Sequence, residues 1–429
     1  MRALISLILF IPFITTAEAQ TELSLGECIR LALTHHPSVQ SAHSSLQADR
    51  NAREAIGKTA YPSVHLEGAM IDAPVSGTIG YDPAISNEGE LAAQAVVQEQ
   101  LYDGGVRSAS GRKLDINVGI SELELLHTRN TITYDVTIAY ISLLKSRAQE
   151  SLNRERVKEL GNYLALVERK WNSGSTPYTD VLKTRVSQEE ARAEIGKAQQ
   201  EAASSLHALS GLTGVPLDTA TRFAGDLDRL TGVTAESLSL PPPDAHWENY
   251  DLMIDSLSVQ SSRIDVDIAR SELHPKISLI GDIGYLSSLE NLKLPSEQRS
   301  PVFGYSVGVT VDQLLFDWGG AGLRVDEQQL RSDAASARHE SLRLAISEQV
   351  STARTDLAYA RERLGMIRKN LADAQNGYLL VKAQYAGGGT TSLDVLSAEQ
   401  SYSDVRLSEI DALADVQQAY ARFQQLTAQ

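Results

Sequence analysis

Two short segments of this sequence are nearly the same and lie half a chain apart. One reads EQLYDGG and contains Tyr102 and Asp103. The other reads QLLFDWGG and contains Phe316 and Asp317, 214 residues later. The triplet DVL recurs at the same separation, and related stretches elsewhere recur within one residue of it. Several landmarks at one spacing indicate a tandem duplication in which each copy is a structural unit.

The duplication divides the chain into two repeats and a connecting segment. We predict a first repeat over residues 20–214, a linker over 215–247 that contains three consecutive prolines, and a second repeat over 248–429. Residues 1–19 have a basic start, an apolar run and a small-x-small cleavage site, so we interpret them as a secretory signal peptide. A membrane anchor is the weaker interpretation because the apolar run is shorter than the ~20 residues that span a bilayer.

Each repeat contains two segments with the period-two pattern of a β-strand, clearest in ISLIGDIGY and YSVGVTVD of the second repeat. The predicted strands lie near residues 62–74, 91–102, 275–287 and 302–316. The alternation alone fits a soluble sheet with one wet face as well as membrane-crossing strands of about ten residues. The connecting segments are polar and rich in turn formers, which favours exposed loops between membrane strands. Beyond the signal peptide the sequence has no run of 18 apolar residues, so entry into a membrane would require a β-barrel.

A very long helix is predicted to follow the second strand of each repeat. No proline occurs from Gly319 to Tyr385, and two registers of this stretch are entirely apolar at the spacing of a heptad seam. The seam residues are Ile346, Val350, Ala353, Leu357, Ala360, Leu364, Ile367, Leu371, Ala374, Tyr378, Val381 and Tyr385. A helix of roughly 65 residues is about 100 Å long, far more than a compact domain needs. Glycine-containing turns near 172–180 and 386–394 then reverse the chain into a second helix.

Composition and motifs exclude several classes of function. The net charge of −16 argues against a nucleic-acid partner, because phosphate binding needs clustered Lys and Arg. Cys28 is the only cysteine, so no intrachain disulfide can form, and Glu27 stands where a lipoprotein signal requires a small residue. The sequence has neither the spacing of a zinc site nor a nucleophile elbow or phosphate-binding loop. We therefore expect no enzyme, no metal and no cofactor.

Four predicted strands per chain are too few for a membrane barrel. Open sheet edges cannot be satisfied in lipid, and the smallest membrane barrels have eight strands. The barrel must therefore be shared between subunits. Two copies would give eight strands and a filled interior, whereas three would give twelve and room for a passage. The count excludes a monomer but does not select three.

These features together resemble the TolC-type outer-membrane efflux protein family over essentially the whole mature chain. The resemblance rests on the duplicated aromatic-Asp-Gly motif, the strand starts at Pro62 and Pro275, the tip turns ending TDVL and LDVL, and the opening helix LSLGECIRLALTHHPSVQSA. It implies an α+β membrane protein, with a shared β-barrel of four strands per chain continued by a long α-helical barrel. It also implies a homotrimer in the outer membrane of a Gram-negative bacterium, docked to a periplasmic adaptor and an inner-membrane pump of the RND or ABC type. The chain would then be a passive duct for efflux or type I secretion.

The resemblance also implies a gate at the helical tips. Asp180 and Tyr385 match positions where the family pairs an Asp with a Tyr, and Asp394 matches an acidic ring at the constriction. Ser397 stands where some members carry a second Asp, and Thr390 where some carry an Arg, so this chain departs from the family there. The alternative is that both aspartates only cap the returning helices.

The tips also match the surface where adaptors of the family dock. The residues are Gly174, Ser175, Leu182, Gly388, Gly389 and Leu396. The alternative is ordinary turn chemistry in a helical hairpin. The strand-to-helix motif comprises Tyr102, Asp103, Gly104, Phe316, Asp317 and Gly319, where the aromatics suit a membrane interface and the glycines a chain reversal. The competing function is a periplasmic coiled-coil adaptor or scaffold without a pore.

Overall fold

The computed structural model describes residues 22–72, 89–218, 221–230, 248–288 and 302–428. The predicted signal peptide, most of the predicted linker and nearly all of both predicted loops lie outside these residues. The helices are α1 Leu25–His35, α2 Pro37–Lys58, α3 Val106–Asn172, α4 Tyr178–Thr213, α5 Tyr250–Ser271, α6 Gly320–Ala386 and α7 Ser392–Leu426. The strands are β1 Ser63–Asp72, β2 Gly89–Tyr102, β3 Lys276–Ser288 and β4 Val302–Asp312.

The opening helix of the first repeat is two helices rather than one. Ser24 and Glu27 form a reciprocal capping box at the start of α1. The break falls at His36, whose extended backbone places Pro37 in the first turn of α2. Proline lacks an amide hydrogen and disfavours a helical residue before it, so it begins a helix more readily than it continues one. The second repeat has a single helix, α5, at the equivalent place.

The four strands form one antiparallel sheet in the order β1-β2-β3-β4. The two repeats join where β2 pairs with β3, and a bulge interrupts that pairing between Gln100 and Tyr102. β4 ends at Asp312, four residues before its predicted end. The next side chain, Gln313, donates to the carbonyl of Leu273, so the chain leaves the ladder at this point.

Two long helical hairpins make up most of the molecule. Helix α3 packs along α4, and α6 packs along α7. Both α3 and α6 have 67 residues, which corresponds to about 100 Å. The hairpins are joined because α3 also packs along α7, while α4 and α6 lie on the outer flanks. The predicted seam is largely buried, with Leu357 and Leu364 fully so, which confirms the heptad interpretation.

A belt of irregular chain crosses the hairpins near their middle. Leu23 and Phe223 form a parallel β-bridge, and the hydroxyl of Tyr140 on α3 donates to the carbonyls of Leu23 and Ala224. Farther along the belt, the carbonyl of Leu227 accepts from the buried amide of Gln417 on α7. The described part of the predicted linker is therefore packed against both hairpins. None of the described helices has the length and hydropathy of a transmembrane helix.

Candidate functional site

The repeated aspartate is a helix cap in both repeats. Asp103 accepts from the amide nitrogens of Gly105 and Arg107, at 3.0 and 2.8 Å. Asp317 accepts in the same way from Gly319 and Ala321, at 3.2 and 2.6 Å. Each carboxylate therefore satisfies two amides that have no partner inside the first turn of α3 or α6. The motif joins a strand to a helix of about 100 Å through this cap, a role that the sequence interpretation missed.

Positive backbone angles complete the junction. In the first repeat Gly104 and Gly105 have φ angles of 73° and 97°, and in the second Trp318 and Gly319 have 56° and 88°. A β-carbon on Gly104 would lie 2.5 Å from the carbonyl oxygen of Ser271 at the end of α5. Trp318 occupies the equivalent position in the second repeat and is 86% exposed. The first junction therefore requires glycine for space, whereas the second does not.

One face of the sheet is a continuous apolar surface. The register places Leu66, Ala95, Ile283 and Tyr305 side by side across all four strands. Tyr305 is 82% exposed and Leu66 is 87% exposed. The other apolar residues on this face of β4 are exposed as well. These are Phe303, Val307, Val309 and Val311. In the described part of the chain, no helix packs extensively against the sheet. An apolar face of this size that the chain itself leaves uncovered indicates another apolar environment or partner.

The opposite face of the sheet carries more polar side chains, and the two outer edges are open. Asp282 lies on this face between Val96 and Ser306, and the hydroxyl of Ser306 donates to it. Strands β1 and β4 each pair with one neighbour only among the described strands. The soluble-sheet alternative predicts a covered apolar face, and the described structure shows an exposed one. The sheet is thus amphipathic and incomplete within one chain.

Both hairpin tips turn in the same way. The amide of Ser175 donates to the carbonyl of Lys170, and the amide of Gly389 donates to that of Gln384. Gly174 and Gly388 precede these donors with positive φ angles, which is the Schellman arrangement at a helix end. Leu182 is 45% exposed beside the first tip.

Leu396, its counterpart in the second repeat, does not lie on the surface. It is 8% exposed and packs in the cluster between the two hairpins, together with Val181 and Val395. Leu182 is therefore the member of this pair that a partner could contact.

Asp394 caps the N-terminus of α7. Its Oδ2 accepts from the hydroxyls of Thr390 and Thr391, both at 2.6 Å, and from the amide of Thr391 at 2.9 Å. These hydrogen bonds, chiefly the one from the Thr390 side chain, lower the pKa of Asp394 to about 2. The carboxylate is exposed and ionised at neutral pH. Ser397 lies one turn later on α7 and is also exposed.

The structure does not pair Asp180 with Tyr385. Asp180 accepts from the hydroxyl of Thr176 at 2.6 Å, which ties it to its own turn. The hydroxyl of Tyr385 is buried and has no hydrogen-bond partner in the described structure. Instead the Tyr385 ring packs edge-on against Tyr163, with 5.4 Å between ring centroids, and Lys170 contacts the ring from the other hairpin. The two predicted gate residues therefore lie at neighbouring turns without a direct hydrogen bond.

A buried ion pair connects the two hairpins deeper in the bundle. Arg156 on α3 and Glu399 on α7 are 7% and 4% exposed, and they form a two-pronged contact at 2.9 and 3.2 Å. Ser403 donates to the same carboxylate, and the side chain of Gln400 accepts from Arg156. The residues are 243 positions apart, so no local sequence pattern could have indicated this contact. Among the described residues no cluster of His, Cys, Asp and Glu is suited to a metal ion.

A comparison with protein-family models identifies the family of this chain. The model described as outer membrane efflux protein matches the chain twice, over residues 28–215 and 242–429. The chain belongs to the outer membrane efflux protein family. The double match also confirms the tandem repeat, because one family model covers each half.

Individual relatives and solved structures similar to this efflux protein support the family assignment. The toluene efflux pump outer membrane protein TtgC of Pseudomonas putida is 23% identical over 92% of this chain and 82% of its own length. The crystal structure of CusC has a TM-score of 0.78 at 19% identity and covers 95% of this chain and 92% of CusC. VceC of Vibrio cholerae has a TM-score of 0.77 at 18% identity, with 94% and 95% covered. At these identities the structural likeness shows the fold.

Family membership confirms the main predictions of the sequence. This efflux protein is an outer-membrane transport protein rather than an enzyme, with a mostly helical structure and a small antiparallel sheet. The competing interpretation, a periplasmic adaptor without a pore, has no support among the relatives.

Proposed function

We propose that three copies of this chain form an exit duct for efflux. Their sheets would close into a barrel of twelve strands in the outer membrane, and their hairpins into a tunnel of twelve helices across the periplasm. We infer that the duct itself is passive. A periplasmic adaptor and an inner-membrane pump of the RND or ABC type would supply the energy and select the cargo.

The exposed apolar face of the sheet carries this proposal. A sheet with an apolar outer face, a polar inner face and two open edges is stable in lipid only when the edges pair with other strands. Pairing β4 of one copy with β1 of the next satisfies both edges and continues the apolar face around the ring. Four strands from one chain cannot close a barrel, and three copies leave a water-filled interior.

Relatives support the choice of partners. TtgC is by its name the outer-membrane protein of a toluene efflux pump, so a pump partner is the natural proposal for this chain. The hairpin tips, at the end of the molecule far from the sheet, are the proposed docking surface for the adaptor. Gly174, Ser175, Leu182, Gly388 and Gly389 remain its candidate residues.

The same tips are the proposed closed end of the duct. Three copies of the ionised Asp394 carboxylate would form an acidic ring, which favours cations. Ser397 would add polar groups one turn farther along α7, while Thr390 holds Asp394 in place. Asp180 remains a candidate for contacts between copies.

Reconstitution of the full chain tests the proposal. Purified protein in planar bilayers should show stepwise ion conductance, and its native mass should be that of three chains. A monomer that does not conduct would contradict the duct and favour a scaffold. A vesicle dye-leak measurement on the same preparation provides an independent readout of the pore.

A further inference from the structure

One lysine makes an unusual set of contacts between the two hairpin tips. Lys170 lies near the end of α3, four residues before the turn glycine Gly174. Its ammonium donates to the backbone carbonyl of Tyr385 on α6 and lies 4.2 Å from the centroid of the Tyr385 ring. A single side chain of the first repeat therefore contacts both the backbone and the ring of one residue in the second.

The carbonyl that Lys170 contacts belongs to the last turn of α6. Carbonyls at a helix C-terminus lack amide partners within the helix and carry its partial negative charge, so a cation is stabilised there. The Tyr385 carbonyl also accepts from the amide of Gly388 in the turn. The face of the aromatic ring adds a second attraction for the same ammonium. Lys170 thus stabilises the end of a helix in the other hairpin.

Among the described residues, the hydroxyl of Tyr385 makes no hydrogen bond that would hold the two tips together. It is buried without a hydrogen-bond partner in the described structure, which is an unfavourable state for a polar group. The ring, by contrast, packs against Tyr163, whose own hydroxyl donates to Ser392 at 3.0 Å. Tyr385 therefore contributes its ring and its carbonyl to the contact between the tips, and separation of the tips would hydrate its hydroxyl.

The contact occurs once, although the tips are repeats of each other. The position equivalent to Lys170 in the second repeat is Gln384, which carries no charge. The position equivalent to Tyr385 in the first repeat is Trp171, which is 43% exposed and packs on Tyr178 of its own hairpin. The contact between Lys170 and Tyr385 therefore belongs to the interface between the two hairpins of one chain. The equivalent residues on their outer flanks do not make it.

We propose that Lys170 is the positioning residue that holds the two hairpin tips of one chain together in the closed duct. It acts through the ring and carbonyl of Tyr385, not through the Tyr385 hydroxyl. This inference rests on the proposed function and identifies how its closed end is held. Opening requires the Lys170 ammonium to leave both the carbonyl and the ring.

Conductance of single channels tests the inference. Lys170→Met keeps much of the side-chain length but removes the charge, and it should raise the open-to-closed ratio about tenfold or more. Lys170→Arg keeps the charge and should restore most of the closed state. Lys183→Met, at an exposed lysine on the same hairpin, is the matched control and should behave as wild type. A heat-resistant oligomer in every variant shows that folding is intact.

Variants of Tyr385 distinguish the proposed contact with Lys170 from a contact made by the Tyr385 hydroxyl. Tyr385→Phe should stay as closed as wild type. Tyr385→Leu removes the ring but keeps the backbone carbonyl, so it should open the channel more than wild type and less than Lys170→Met. The double variant Lys170→Met with Tyr385→Leu should open no further than Lys170→Met, because the methionine has already removed the ammonium from both the ring and the carbonyl. Wild-type conductance in Lys170→Met, or opening in Tyr385→Phe equal to that of Lys170→Met, would overturn the inference. Absence of conductance in the wild type contradicts the duct itself, so the two failures are distinguishable.

Discussion

At the strand-to-helix junctions, equivalent residues of the two repeats differ for a steric reason. Gly104 is pressed against the carbonyl of Ser271, so only hydrogen fits in place of a side chain. Trp318 takes the same left-handed backbone conformation at an open surface, where its ring meets no such obstacle. The aspartates next to them, Asp103 and Asp317, make the same cap in both repeats. The cap is therefore the shared requirement, and the neighbouring residue is adapted to its surroundings.

Alanine substitutions at two glycines test this difference. Gly104 and Gly319 both have positive φ angles, so alanine at either should strain the backbone by about 1 kcal/mol. Gly104→Ala should destabilise the protein by about 1–3 kcal/mol more, because its β-carbon would meet a backbone carbonyl. Thermal unfolding followed by circular dichroism measures both. Equal losses of stability at the two positions would contradict this expectation. They would show that the structure accommodates a β-carbon at Gly104 with no further loss of stability.

At the scale of elements, the joint between the hairpins depends on polar contacts that cross from α3 to α7. Arg156 and Glu399 are both buried, so each charge is stable only in the presence of the other. Ser403 donates to the Glu399 carboxylate, and the Gln400 side chain accepts from Arg156. Such a network fixes how one helix is placed along the other, because an apolar seam alone permits small sliding movements. The two hairpins are therefore held in a defined register.

Replacement of one or both partners tests the buried pair. Glu399→Met leaves the Arg156 charge buried alone and should destabilise the bundle by about 3–5 kcal/mol. Arg156→Met combined with Glu399→Met should recover most of that loss, because neither charge then remains. Glu189→Met removes the exposed partner of Arg192 and should change stability by less than about 1 kcal/mol. Denaturant unfolding supplies the comparison, and a double variant no better than Glu399→Met would show that the network stabilises more than its charges.

Much of the element structure was accessible from the sequence, for identifiable reasons. Alternation in YSVGVTVD and the apolar registers from Ile346 to Tyr385 are local patterns that follow from strand and helix geometry. Pro37 was also a local signal for a break between helices, and the prediction of a single opening helix missed it. The contacts of Lys170 and Arg156 had none, because their partners lie more than 200 residues away. The proposed Asp180–Tyr385 pair came from the family resemblance, and the tip geometry gives those two residues other partners.

At the scale of the whole molecule, the sheet and the hairpins have different relations to their surroundings. The hairpins bury their seams within the chain, whereas the sheet presents apolar side chains that the chain does not cover. The order β1-β2-β3-β4 places one strand of each repeat at an outer edge. A second copy can therefore continue the sheet at either edge, with a strand of one repeat meeting a strand of the other.

Lysine substitutions on the two faces of β4 test this arrangement. Val307 lies on the apolar face and Thr310 on the opposite one. If the apolar face contacts lipid, Val307→Lys should destabilise the assembled oligomer by about 2–4 kcal/mol, whereas Thr310→Lys should have little effect. The fraction of heat-resistant oligomer in outer-membrane preparations reports the result. Equal tolerance of lysine on both faces would contradict a lipid-facing role for Val307.

The hydrogen bonds of Tyr140 also bear on the order in which the chain folds. Its hydroxyl holds Leu23 from the start of the described chain and Ala224 from beyond the first hairpin. The bridge between Leu23 and Phe223 can form only after α3, α4 and the following segment have folded back, because it joins residues on either side of the first hairpin. Contacts between such distant segments close late. We therefore expect the bridge between Leu23 and Phe223, which joins segments about 200 residues apart, to form after the helices of the first hairpin have packed.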